Sequence, residues 1–101
     1  KIKQKIKNIK NLEKKLYYAM VWEVTEEQPL QILENSDKRG WKNHHLDHIY
    51  PISLGFHNKI PPKKIGNIKN LQFIPYKENL RKGSTVTNES RNALRRLKRL
   101  K

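Results

Sequence analysis

The chain has no cysteine, one methionine, four glycines, and nine acidic residues against 23 lysines and arginines. Without cysteine there are no disulfides, no thiolate-ligated zinc and no thiol nucleophile, so packing alone must hold the core. No apolar run approaches the about 20 residues that span a bilayer, and the N-terminus lacks the apolar stretch of a signal peptide. Hydrophobic residues make up only 35% of the 101 positions. A chain of this length forms one domain, residues 1–101, with a small core and much surface.

What it has in excess is positive charge. A net charge of +14 makes a compact state repel itself and attracts a polyanion, most directly nucleic acid. The charge is unevenly spread: +6 over residues 1–20, −5 over 21–37 and +13 over 38–101. Lys, Ile and Asn account for 37 residues. All three have A/T-rich codons, consistent with a bacterial or phage-encoded protein acting in the cytoplasm.

Along the chain, Ile2, Ile6, Ile9, Leu12 and Leu16 recur at helical spacing and predict a basic amphipathic helix over residues 1–20. Such a helix either packs its apolar stripe on the domain, lies on a membrane surface, fills a partner's groove or lays its lysines along phosphates, the packing and phosphate readings being compatible. The acidic connecting segment, residues 21–43, offers "TEEQ", a capping box with Thr25 as N-cap, and a turn at Gly40. From Pro51 to Asn70 no periodicity is visible, which predicts a long loop. "LQFIP" predicts a short strand. Pro75 and Gly83 bracket a helix with Arg81 and Lys82 in its last turn. A second basic helix is expected over 88–101, with Leu94, Leu97 and Leu100 on one side. "NIKN" occurs at 8–11 and 67–70, a coincidence in so Lys/Ile/Asn-rich a chain. The aromatic residues Trp22, Trp41, Tyr50, Phe56, Phe73 and Tyr76 are the expected supplement to the core.

The densest chemistry lies in "HHLDHIYPIS", residues 44–53, which holds three of the four histidines and an aspartate. Read with "NLQFIP" and "ENLRKG", it gives an order of strand, long segment, strand, helix. In that order stand Asp47 and His48 at the end of the first strand, Asn70 before the second, and Asn79 in the helix. Over residues 41–84 this resembles the HNH nuclease family. The resemblance implies an α+β fold: a ββα-metal core over 44–83, made of a two-stranded antiparallel hairpin and a helix, here flanked by basic N- and C-terminal helices. It implies that His48 is the general base, that Asp47 and Asn79 are metal ligands, and that Asn70 holds the catalytic loop. It also implies cleavage of DNA to 3′-hydroxyl and 5′-phosphate ends. Asn79 stands where many relatives carry histidine, and the paired cysteines with which relatives often hold a structural zinc are missing.

Elementary chemistry agrees with those roles. A neutral imidazole accepts a proton from water near neutral pH. A hard cation, Mg²⁺ or Mn²⁺, takes oxygen ligands and usually keeps several waters, so a carboxylate and an amide oxygen suffice for a one-metal site. Strand alternation puts His45 on the face of Asp47 and His44 on the other, so His45 is expected near the phosphate or a metal-bound water. His44 and His57 are expected to be surface residues. Arg81, Lys82, Arg95, Arg96, Lys98 and Arg99 are the expected DNA-backbone contacts. The leading expectation is a metal-dependent DNA endonuclease, and the alternative is a basic nucleic-acid-binding module whose nuclease site is inactive.

Overall fold

A computed structural model describes residues 2–83 and 86–100. The first helix, α1, runs from Ile2 to Glu27, seven residues past the predicted end at 20. Nothing in the sequence breaks it before Pro29, and Tyr18, Val21, Trp22 and Thr25 continue the helical spacing. The predicted capping box at Thr25 is therefore wrong. Thr25 lies inside the last turns of α1, fully buried, and its hydroxyl donates to the Val21 carbonyl four residues back.

The apolar stripe of α1 is also corrected. Ile2, Ile6, Ile9, Leu12 and Leu16 are all exposed. Only the C-terminal part of α1, from Tyr17 onward, packs on the rest of the domain. The contact is close: a Cβ on Gly66 would lie 2.8 Å from the Val21 carbonyl oxygen and 2.9 Å from Val24 Cβ. Tyr17 donates to the Ile60 carbonyl at 2.6 Å.

Two strands follow. β1, His44–His48, pairs antiparallel with β2, Leu71–Pro75, in the register Leu46 opposite Phe73 and Asp47 opposite Gln72. Between them the predicted loop is largely helical: α2, Ile52–His57, and α3, Pro62–Ile65, are followed by a 3₁₀ turn over Ile68–Asn70. Prolines start both helices, Pro51 as the N-cap of α2 and Pro62 at the first turn of α3. Each element is too short to show a period in the sequence.

Helix α4, Tyr76–Lys82, leaves β2 directly with Pro75 as its N-cap, and Gly83 ends it at φ +53°, a conformation that a side chain would strain. Helix α5, Asn88–Lys98, opens with a reciprocal cap between Thr87 and Ser90; Lys101 lies outside the described residues. The expected α+β architecture is thus observed, with helices flanking a two-stranded sheet.

The core is two clusters. Val21, Tyr50, Ile52, Ile65, Ala93 and Leu97 form one, and Leu46, Leu71 and Phe73 the other. Trp22 packs against both and joins them. Trp41, expected in the core, is 86% exposed.

Candidate active site

The hairpin has two distinct faces. Leu46 and His48, with Phe73 and Leu71 opposite them, point at α1: Leu46 packs with Trp22, and the Trp22 ring stands edge-on to the His48 imidazole at 5.0 Å. His45 and Asp47 point at α4, where they meet Asn79 and Lys82. Adjacent residues Asp47 and His48 therefore leave the strand on opposite sides. Both residues nonetheless border a cavity of about 190 Å³ at its end, lined by Tyr18, Asp47, His48, Ser53, Asn79 and Gly83 among others.

His48 is held by α1. Its Nε2 lies 2.9 Å from Thr25 Oγ1. The Thr25 hydroxyl has one proton and gives it to the Val21 carbonyl, so towards His48 it can only accept. Nε2 must then carry hydrogen, and Nδ1 is left as a bare acceptor. Burial, with the Lys82 ammonium adding to it, pushes the imidazole down from 6.5 to about 4. At neutral pH His48 is uncharged, with its lone pair on a defined nitrogen.

The same logic fixes Asn79. His45 Nε2 lies 2.7 Å from the Trp41 carbonyl, which can only accept, so in the neutral imidazole Nδ1 accepts from Asn79 Nδ2 at 3.1 Å. The Asn79 amide is thereby turned so that Oδ1 points away from His45. Among the described residues neither Asn79 Oδ1 nor His48 Nδ1 has a hydrogen-bond partner, and no buried polar side-chain atom is left unpaired. Each atom therefore keeps at least some exposure, and both residues line the same cavity.

Asp47 is only 6% exposed. The Lys82 ammonium sits 2.9 Å from its Oδ1 and 2.8 Å from Oδ2, and Gln72 Nε2 donates to Oδ2 at 2.8 Å. Lys82 also donates to the His48 carbonyl at 2.9 Å. The expectation that Lys82 faces DNA as a surface cation is thus corrected, because its side chain is spent inside the site. Arg81, Arg95, Arg96, Lys98 and Arg99 are exposed.

Asn70 lies away from the cavity lining, fully buried. Its Oδ1 accepts from Tyr50 N–H at 2.8 Å, while Nδ2 donates to the Tyr50 carbonyl at 3.1 Å and to the Ile65 carbonyl at 2.7 Å. One side chain thus fastens the exit of β1 to the end of α3 and the start of β2. His44 pairs with Asn43 and His57 is exposed. Both ring nitrogens of His45 are engaged, which makes it a holder of Asn79 in this arrangement.

Sequence reasoning missed Thr25, Trp22, Gln72 and the internal role of Lys82. The signal for Thr25 is the run Tyr18, Val21, Trp22, Thr25, whose helical spacing places a hydroxyl on a buried face. For Gln72 and Lys82 the sequence alone offers no comparable signal.

The donor set suits a hard divalent cation in kind. Asp47, whose carboxylate is held by Lys82 and Gln72, and Asn79, whose amide oxygen has no partner among the described residues, line one cavity. Neither sulfur nor a cluster of three histidines stands there for softer metals. Comparison with protein-family models, curated proteins and solved structures finds no match.

Proposed function

We propose that this chain is a metal-dependent DNA endonuclease of the HNH type. The observation that carries the proposal is that Asp47, His48 and Asn79 all line one cavity, with His48 Nδ1 and Asn79 Oδ1 unpartnered among the described residues. Asp47 and Asn79 are the residues that would hold Mg²⁺ or Mn²⁺. When bound, such a cation supplies Lewis-acid stabilisation of charge on the phosphoryl and leaving oxygens.

The chain's own residues do the rest. His48, neutral and fixed by Thr25, accepts the proton of the attacking water on Nδ1. His45 holds the Asn79 amide through its nitrogen and so leaves its oxygen without a protein partner among the described residues. Asn70 keeps the backbone at Tyr50 in place, and with it the end of β1. The excess of basic residues, including the exposed arginines of α5, attracts the DNA backbone. Among the described residues no helix is long and apolar enough to cross a membrane.

A second reading has one observation in its favour. With Lys82 on Asp47, the only carboxylate at the cavity is already neutralised, as it would be in a nucleic-acid-binding module that does not cut. Incubation with supercoiled plasmid separates the two. Nicked or linear product is expected in Mg²⁺, none with chelator, and none from Asp47→Ala. Salt-sensitive DNA binding by wild type without cleavage in Mg²⁺ or Mn²⁺ selects the binding module instead.

A further inference from the structure

Lys82 has three ammonium protons, and three acceptors stand within 2.9 Å of its nitrogen: both oxygens of Asp47 and the His48 carbonyl. Its hydrogen-bonding capacity is thus fully used within the site, in a position where its side chain is 13% exposed and that of Asp47 7%. We infer, on the reading that Asp47 is a metal ligand, that Lys82 is a built-in cation holding the metal's place, and that a divalent ion loads only when this ammonium leaves.

The two cations exclude each other for geometric and electrostatic reasons. A hard divalent ion needs an Asp47 oxygen at about 2.0–2.1 Å. The ammonium contacts both oxygens at once, and Gln72 takes a further position on Oδ2. A divalent ion and an ammonium on one poorly solvated carboxylate would repel strongly at the few ångströms separating them. Lys82 also has somewhere to go. It borders a second, larger hollow of about 530 Å³, whose lining includes the acidic residues Glu78 and Glu89 against one other cation, Arg81. It stands at the end of α4, directly before Gly83. Rotation of a flexible four-carbon stem moves the charge from Asp47 into that hollow without moving the helix.

The apo site is thereby kept neutral and its affinity for metal lowered. The test uses the full chain without DNA. Free Mn²⁺ is followed by electron paramagnetic resonance during titration of wild type and Lys82→Met, with circular dichroism confirming that both are folded. Lys82→Met is expected to bind Mn²⁺ at least tenfold more tightly. In ¹⁵N-lysine-labelled wild type, the Lys82 ammonium should give a slowly exchanging resonance that is lost as Mg²⁺ binds, and this measurement decides the question if Lys82→Met does not fold. Equal Mn²⁺ affinities in the two proteins, or a Lys82 resonance that persists at saturating Mg²⁺, overturns the inference and leaves the metal-dependent reading standing. No metal binding by either protein removes both.

Discussion

Thr25 and His48, 23 residues apart, share a buried 2.9 Å hydrogen bond that fixes which imidazole nitrogen is bare. The bond joins the end of α1 to the end of β1 and connects the N-terminal helix to the candidate site. Thr25→Val keeps the shape and removes the acceptor, leaving a buried N–H unpaired at a cost of about 1–3 kcal/mol. We expect loss of the defined Nε2–H tautomer, seen in imidazole ¹⁵N shifts, and a fall in single-turnover cleavage of about tenfold, part of the 10²–10⁴ that a positioned base contributes. An unchanged tautomer and rate would return Thr25 to a packing role.

His48→Ala, by contrast, should remove the whole of that contribution, about 10²–10⁴ in single-turnover rate, with DNA binding intact. A folded, DNA-binding variant that cleaves within about threefold of wild type is incompatible with His48 as base.

The lowered pKa of His48 has a sign that can be measured. The unfolded chain takes up the imidazole proton near 6.5 and the folded protein only near 4. Falling pH through that window therefore favours the unfolded state. Stability contributed by the neutral, buried ring is complete above about pH 6.5 and is lost progressively towards pH 4, by about 3 kcal/mol in all. Urea midpoints at pH 7, 5 and 4 should fall more steeply for wild type than for His48→Gln. The cleavage rate attributable to His48 should rise through the region of pH 4 and be flat from pH 6 to 8, instead of rising through the ordinary histidine range. A directly titrated His48 pKa near 6.5 would refute the buried geometry.

Asn70→Ala leaves Tyr50 N–H and the Tyr50 and Ile65 carbonyls without the partner each now has. With each buried unsatisfied group costing about 1–3 kcal/mol, the loss should reach about 3 kcal/mol or more. Urea denaturation measures it directly, and a loss below about 1 kcal/mol would show that water replaces the amide.

For α5 the expectation concerns binding only. Arg95, Arg96, Lys98 and Arg99 are exposed. Changing all four to Gln should weaken DNA binding and flatten the dependence of log affinity on log salt, while cleavage at saturating DNA persists. An unchanged slope would place the DNA path elsewhere on the protein.

The parts of this fold that are legible in the sequence have strong local signals. "HHLDH" and "LQFIP" are bounded by turn residues and prolines, and Gly83 marks the end of α4 at the residue where φ turns positive. Helices α2 and α3 are hidden because six and four residues complete too little of a period to be seen. Among the candidate-site residues, Asp47, His48 and Asn79 stand out in the sequence because their types and order are distinctive, and all three line one cavity. The partners that set their behaviour cannot, since Thr25 and Lys82 reach the site across 23 and 35 residues of sequence. Local pattern gives the first of these a plausible role as a helix cap and the second one as a surface cation, and tertiary packing overrides both.

The larger core cluster joins Val21 of α1 to Ala93 and Leu97 of α5. During synthesis α1 is complete long before the residues that bury its inner face exist. Thr25 can be fixed against His48 only once β1 has emerged, and the cluster behind them closes only when Leu97 is available. A chain ending before Ala93 should therefore lack cooperative unfolding even though every residue named in the chemistry is present. In synthesis order, the packing behind the candidate site is complete only once the last turns of α5 have been added.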